Sequence, residues 1–309
     1  MEFFSPLRYP GGKGKISEYI ELLFKANSLN GGHYVEPYAG GASVALSLLI
    51  NERASVIHIN DFDYTVYCFW HSVLNQPDEL CKLINDTPVN IDVWNLQKEV
   101  QKNKNDFDTL DVGFSTFFLN RTNRSGILNA GVIGGLEQKG EWKIDARYNK
   151  ADLIKRIQRI ALYKSRINIY NEDAVKLIPI IINQIPKNSL IYFDPPYYKK
   201  GPVLYINFYK HDDHVRIAKT IDKLQHINWI ISYDNVEPIK VLYNSYRQRT
   251  FDINYHAGSA SKGSEVFVYS NNLWMPDIDS PTDKKRIKSY AEQSVLALRE
   301  SGELSRVLR

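Results

Sequence analysis

Hydrophobic positions recur along the first third of the chain in two alternating rhythms. Ile16, Ile20 and Leu23 fall at helical spacing, and "HYVEP" is a short extended run. Val44, Ala45, Leu48 and Leu49 then line one helical face, and "SVIHIND" reads as a strand. Strand and helix in turn predict a parallel, doubly wound sheet. From about Asp78 to Lys150 the rhythm changes: strand-like runs become scarce, and a polar stretch, "QKNKNDFDTLD", precedes "FSTFFLNRTNRSGILNAGVIGG". Alternation then resumes with a helix at Ala151 to Tyr163, strands at "RINIY", "SLIYFD" and "NWIISY", and edge strands at "RTFDINY" and "EVFVYS". The pattern predicts an α/β domain, a Rossmann-like mixed sheet built from residues 1–76 and 151–275, interrupted by a mainly helical insert at 77–150. After Pro276, Ile287, Ala291, Val295 and Leu298 recur at helical spacing, so 276–309 reads as an appended helical tail.

Composition narrows the class. With 309 residues, 43% of them hydrophobic and 24% charged, the chain is neither disordered nor fibrous and is long enough to bury a sizeable core. The formal charge of +4 is only a mild lean toward polyanions, so local clustering has to decide what the protein binds. Cys68 and Cys81 have no Cys-x-x-Cys partner and read as free thiols of a reducing compartment. No leading signal peptide is visible and the longest apolar run, around Leu177 to Ile185, is too short to span a bilayer, which predicts a cytoplasmic protein with no membrane partner. "HDDH", His211 to His214, has the residue types of a metal site, but it precedes the helical run Ile217, Ile221, Leu224. There Asp212 and Asp213 suit a helix N-terminus, and no metal is expected.

Three strand ends carry candidate chemistry. In "YVEPYAGGAS" a strand ends at Glu36-Pro37, a small-residue turn containing Gly40 follows, and a helix starts near Ser43, which lets backbone approach a ligand closely. The next strand ends in Asp61, 25 positions after Glu36, where an acid can hold ribose hydroxyls or simply cap a helix. "RYPGGKGK" offers Tyr9 as a stacking face and Lys13 as a cation on a glycine turn, without the spacing of a Walker loop. In "LIYFDPPYY" a strand delivers Asp194 to the sheet edge, and Pro195-Pro196 set a rigid extended turn. An ionised Asp194 and the Pro195 carbonyl both accept hydrogen bonds, which suits an amino group bearing two hydrogens. Tyr197 offers a ring to stack on the flat base that carries it.

"RYPGGK", "EPYAGGAS", "IND", "FFLNRTNRSG", "FDPPY" and "VFVYSN" occur in the order found in Dam-type DNA adenine methyltransferases, which the chain resembles from roughly Pro6 to Asn271. The resemblance implies S-adenosylmethionine as cofactor, with Tyr9, Lys13, Asp61, Asp173 and Asp194 as its contacts beside the turn residues Glu36, Pro37 and Gly40. It also makes Asp194, Pro195, Pro196 and Tyr197 the catalytic motif. Double-stranded DNA is the implied substrate, with a cognate restriction endonuclease or phage-defence proteins as possible associates. The turn alone does not name the acceptor, because enzymes that methylate cytosine N4, an RNA base or a protein glutamine share an acid-or-amide, Pro-Pro, aromatic turn. A catalytically silent DNA-binding protein is the alternative from another class, and the intact turn argues against it.

Between Phe117 and Lys150 six basic residues stand against three acids, an excess that phosphate contact would use. Asn120, Arg121, Asn123, Arg124, Lys139 and Lys143 are the candidate DNA contacts. Asn and Arg are types that read base edges, although Asn120 and Arg121 could instead build the loop. "HAGSASKGS", His256 to Ser264, reads as a hairpin loop. One departure from the family pattern concerns the target. Relatives acting at GATC typically carry an aromatic and an asparagine just before the glycine matched here by Gly126, where this chain has Arg124 and Ser125. A site other than GATC is expected.

Overall fold

A computed structural model describes residues 3–8, 13–199, 209–255 and 261–300. Its frame is a seven-stranded sheet. The strands are β1 (His33–Glu36), β2 (Val56–Asn60), β3 (Ile167–Tyr170), β4 (Leu190–Phe193), β5 (Asn228–Asp234), β6 (Arg247–Tyr255) and β7 (Ser261–Tyr269), in the spatial order β3-β2-β1-β4-β5-β7-β6. The first five run parallel, and β7 enters antiparallel between β5 and β6. "EVFVYS" is therefore an interior strand, not the edge strand its sequence predicts. Val266, Phe267, Val268 and Tyr269 are all fully buried, which an edge position would not allow on both faces. β6 alone of the pair takes the edge, and the hairpin tip, residues 256–260, lies outside the described residues.

Alternate side chains of each central strand enter two separate cores. Leu190 and Tyr192 join Tyr34, Ile57, Ile59 and Ile230 on one face, while Ile191 and Phe193 join Val35, Trp229 and Ile231 on the other. The second face is covered by α8 (Ala174–Ile181), α9 (His211–Ile221) and α10 (Glu237–Leu242). On the first lie α1 (Ser17–Ala26), α2 (Ser43–Ile50), α3 (Tyr64–Asn75) and α7 (Lys150–Ala161), and against them the three helices of the insert: α4 (Pro77–Asp86), α5 (Ile91–Lys102) and α6 (Thr109–Thr122).

The stretch predicted as an insert, residues 77–150, does not enclose a core of its own. Leu80, Ile84, Trp94, Phe117 and Phe118 belong to the same cluster as Phe69 on α3 and Leu153 and Ile157 on α7. Phe69 and Phe117 stack with centroids 5.9 Å apart. Gly113 makes this contact possible, since a Cβ there would come within 2.7 Å of the Cys68 carbonyl. Both cysteines are buried and free. The tail is α11 (Lys284–Glu300), which the helical spacing predicts. Ile287 is 4% exposed in the first core and Lys284 reaches Glu18 of α1 at 3.4 Å, while the side chains of Val295 and Leu298 fall outside the described residues.

Candidate active site

The strand order reverses direction between β1 and β4, and sheets of this kind bind ligands outside the carboxyl ends of the strands at such a point. Glu36, Asp61 and Asp194 stand at the ends of β1, β2 and β4. Glu36, 5% exposed, turns inward: its Oε1 accepts from the Tyr34 hydroxyl at 3.0 Å and from the Ala45 amide at 3.2 Å. It thus supplies an acceptor to the first turn of α2, whose N-cap residue, Ala42, has a left-handed backbone and no capping oxygen. Burial pushes the Glu36 carboxyl up to about 8, and the charge of Asp194 adds to the effect.

Asp61 ties the turn after β1 to the turn after β2. Its Oδ2 accepts from the Gly40 amide and its Oδ1 from the Asp63 amide, both at 2.9 Å. The helix-capping role open to it in the sequence belongs instead to Asp63, which accepts from the Thr65 amide at 2.9 Å. Burial, and then the neighbouring Asp63, push Asp61 up to about 7, against the pull of the two amides. Gly40 (φ +46°) is further pinned through its carbonyl by the Trp70 indole at 2.9 Å. Asn60, just before Asp61, donates to the carbonyls of Pro37 at 2.8 Å and Glu172 at 2.9 Å, so one buried amide locks the loops after β1, β2 and β3 together.

Asp173 lies on the loop after β3, accepting from the Val175 amide at 2.8 Å as the N-cap of α8, with Arg216 4.0 Å away. Tyr9 lies outside the described residues, as does the Lys13 side chain; the Lys13 backbone begins a short 3-10 helix.

At the end of β4 the turn is gripped from β5. Asp194 Oδ1 accepts from the Ser232 hydroxyl at 2.7 Å. Past Pro195 and Pro196, the two oxygens of Asp234 accept from the amides of Tyr198 and Lys199, each at 2.8 Å. Tyr197 is 1% exposed, and its hydroxyl donates to Glu265 on β7. The ring that the sequence offers as an open stacking face is covered in the structure because that hydroxyl draws the side chain toward the sheet.

Sequence reading did not single out Ser232, Asp234, Glu265 or Asn60. A hydroxyl and an acid two places apart at the end of an otherwise apolar strand, "NWIISYD", were the available signal. At the start of α9, the Lys210 amide donates to Asp213 at 3.0 Å, and His214 is buried against the Tyr233 hydroxyl at 3.1 Å. The helix-terminal reading of "HDDH" accounts for the Asp213 contact, whereas His214 packs against β5.

The six candidate DNA contacts divide into two groups. Asn120, 2% exposed, accepts from the Arg8 amide at 2.7 Å and donates to the carbonyls of Arg8 at 2.7 Å and Gly126 at 2.9 Å. Asn123, fully buried, accepts from the Trp94 indole at 2.7 Å and donates to the Ile127 and Leu128 carbonyls. Arg121 donates to the Arg147 carbonyl at 2.7 Å, and burial lowers its guanidinium to about 10, with Arg8 and Arg156 nearby adding to the effect. These three build the loop, and the base-reading role open to the two asparagines is taken up by backbone bonds. Gly126, at φ +75°, completes the clasp, for a Cβ there would meet the Arg8 carbonyl at 2.2 Å.

Arg124, Lys139 and Lys143 remain exposed, Lys139 beside Glu137 at 2.5 Å and Lys143 donating to the Gln138 carbonyl at 2.7 Å. Trp142, 60% exposed with Arg147 over its ring at 5.7 Å, shares that surface. The sequence reading had passed over it.

A doubly wound sheet with an acid, two prolines and a tyrosine at the end of β4 defines an amino-group methyltransferase. The chain belongs to the D12 class of N6 adenine-specific DNA methyltransferases, whose sequence profile matches residues 9–257, and it is an adenine-specific DNA methyltransferase. It is 25% identical over 244 residues to the Type II methyltransferase M.MjaIII of Methanocaldococcus jannaschii, across 72% of this chain and 81% of that protein. Among solved structures, a putative RNA methyltransferase from Pyrococcus horikoshii is similar at 9% identity. It covers 85% of this chain and 86% of its own, with a TM-score of 0.38, too loose a likeness to carry an argument. Among the described residues no helix is long and apolar enough to cross a membrane.

Proposed function

We propose that the protein transfers a methyl group from S-adenosylmethionine to the N6 amine of an adenine extruded from duplex DNA. The observation that carries this reading is the placement of Asp194 at the switch point of the sheet, held by Ser232 at 2.7 Å and followed by a turn that Asp234 fixes. The donor set at the neighbouring strand ends fits the cofactor. A carboxylate has about four acceptor positions, and the amides of Gly40 and Asp63 use two of those of Asp61, which leaves capacity for ribose hydroxyls. Asp173, at the following loop, is assigned to the adenine end by family resemblance, as Tyr9 and Lys13 are to the rest of the set. When bound, the cofactor supplies an electrophilic methyl group on a sulfonium.

The protein's own task is to make a poor nucleophile attack. The lone pair of an exocyclic amine is delocalised into the ring, and acceptors at Asp194 and the Pro195 carbonyl favour the pyramidal nitrogen. Positive charge grows on that nitrogen as the methyl group arrives, so the carboxylate stabilises the transition state more than the ground state. No covalent bond to the enzyme is required. Extruding the base costs a few kcal/mol. Because the Tyr197 ring is covered, the base stacks there only if the turn opens. On the DNA side, Arg124, Lys139, Lys143 and Trp142 form the surface of the insert suited to phosphates and base edges. Similarity to a Type II methyltransferase supports a place beside a restriction endonuclease.

Purified protein incubated with sequence-diverse DNA and labelled cofactor should yield N6-methyladenine on nucleoside analysis, and Asp194→Ala should lose activity by orders of magnitude while DNA affinity changes far less. N4-methylcytosine as the product, or near-normal turnover in the variant, would overturn the assignment.

A further inference from the structure

β5 is apolar where it crosses the sheet, with Trp229, Ile230 and Ile231 all buried, yet Ser232 stands fully buried among them. A buried hydroxyl is unfavourable unless it is hydrogen bonded, so what it bonds shows what it does. The register pairs Tyr192 with Ile230 and Phe193 with Ile231, and one step further Asp194 and Ser232 come side by side. Ser232 has one proton, and it goes to Asp194 Oδ1 at 2.7 Å. Its oxygen lies 2.7 Å from the hydroxyl of Tyr192, which is itself 1% exposed. Since the serine proton is committed, Tyr192 must be the donor in that second bond. The result is a one-way chain from Tyr192 to Ser232 to Asp194, on the sheet face that also carries Tyr34 and Glu36. Hydrogen bonds in series polarise one another, so Tyr192 strengthens the bond Ser232 makes.

We infer that Ser232, backed by Tyr192, is a positioning residue that fixes the orientation of the Asp194 carboxylate, so that the amine of the target base meets its acceptor already aimed. This rests on the catalytic role given to Asp194 above. Losing the serine bond removes one constraint on the orientation of the carboxylate, and a small misplacement of an acceptor is costly to rate while leaving ground-state binding in place. Phenylalanine and alanine at the two positions would fill nearly the same space, so packing alone does not call for the two hydroxyls.

Steady-state kinetics on Ser232→Ala, Tyr192→Phe, the double variant and Ser232→Thr test the inference, with DNA affinity measured alongside. Ser232→Ala is expected to lower kcat roughly 10- to 100-fold, with KM for the cofactor and DNA affinity within about twofold of the parent. Tyr192→Phe should lower kcat less. Ser232→Thr, which keeps the hydroxyl, should recover most of the loss. The double variant, which leaves neither hydroxyl unpaired, should fold normally and remain slow. Parental kcat in Ser232→Ala and in the double variant would overturn the inference, as would a loss of kcat matched by weaker cofactor and DNA binding. Asp194→Ala is run in parallel: if it keeps parental turnover, the catalytic assignment itself has failed, whereas an inactive Asp194→Ala beside a fully active Ser232→Ala refutes only the positioning role.

Discussion

Burial keeps a proton on Glu36 at neutral pH, although a glutamate at the end of a strand beside a ligand crevice would ordinarily be ionised. Its folded-state affinity for the proton, near 8, exceeds the ordinary value of 4.5. The resulting contribution to stability is therefore full below pH 4.5 and is lost as pH rises through about 8. Asp61, raised to about 7, acts in the same direction. Glu36→Gln keeps the acceptor for Tyr34 and Ala45 but cannot ionise. Urea unfolding at pH 6 and pH 9 should show the parent losing more stability than the variant over that interval, by about 2 kcal/mol. Equal losses in the two proteins would mean that Glu36 is ionised in the folded chain at both pH values. The sequence made Asp194 and Asp61 legible, because acids at strand ends next to glycine or proline turns have few other reasons to be there. It could not make Ser232 or the inward turn of Glu36 legible, since each depends on which neighbour a strand acquires, and strand neighbours are fixed by topology rather than by local pattern.

At the scale of elements, the loop after α6 shows how charge and amide content can mislead. Asn120, Arg121 and Asn123 have the chemistry of base readers, but Asn120 near the end of α6 and Asn123 just past it turn into the interior, where backbone groups of Arg8, Gly126, Ile127 and Leu128 claim them. The scarcity of strand-like runs predicted a mainly helical stretch here; it could not show that the N-terminal segment passes close enough to be clasped. Likewise the rhythm of "EVFVYS" predicted a strand, but its interior position follows from the long-range pairing with β5. Two classes of substitution should therefore separate. Asn120→Ala leaves buried backbone groups unpaired and should lower stability on the order of 3 kcal/mol, read by chemical denaturation. Arg124→Ala, Lys139→Ala and Lys143→Ala combined should leave stability nearly unchanged. DNA affinity should fall uniformly across sequences, and the slope of log affinity against log salt should flatten by about 2 to 3 units. An unaltered slope would exclude these cations from phosphate contact.

For the molecule as a whole, the proposed chemistry and the proposed target choice fall to different parts of one continuous body. The proposed catalytic Asp194 and the proposed ribose-binding Asp61 stand at strand ends locked by Asn60, Ser232 and Asp234, all within the sheet. The exposed cations proposed to face the target lie within residues 77–150, joined to that body through the shared core of α3, α6 and α7. A change in the loop can therefore alter what is read without disturbing what is done. The loop departs from the pattern of GATC enzymes at the two positions before Gly126. Arg124 is exposed there, its amide donating to the Gly131 carbonyl at 3.0 Å, and Ser125 takes a left-handed backbone at φ +58°. The aromatic that would fill the gap left by an extruded base is missing from that place, and a guanidinium, which prefers guanine edges or phosphate, occupies it. The methylated site should accordingly be a short adenine-containing motif other than GATC. Single-molecule sequencing of DNA modified by the purified protein decides the matter: modification at a different motif is the expected result, and modification confined to GATC would show that the loop reads the family's usual site by other residues.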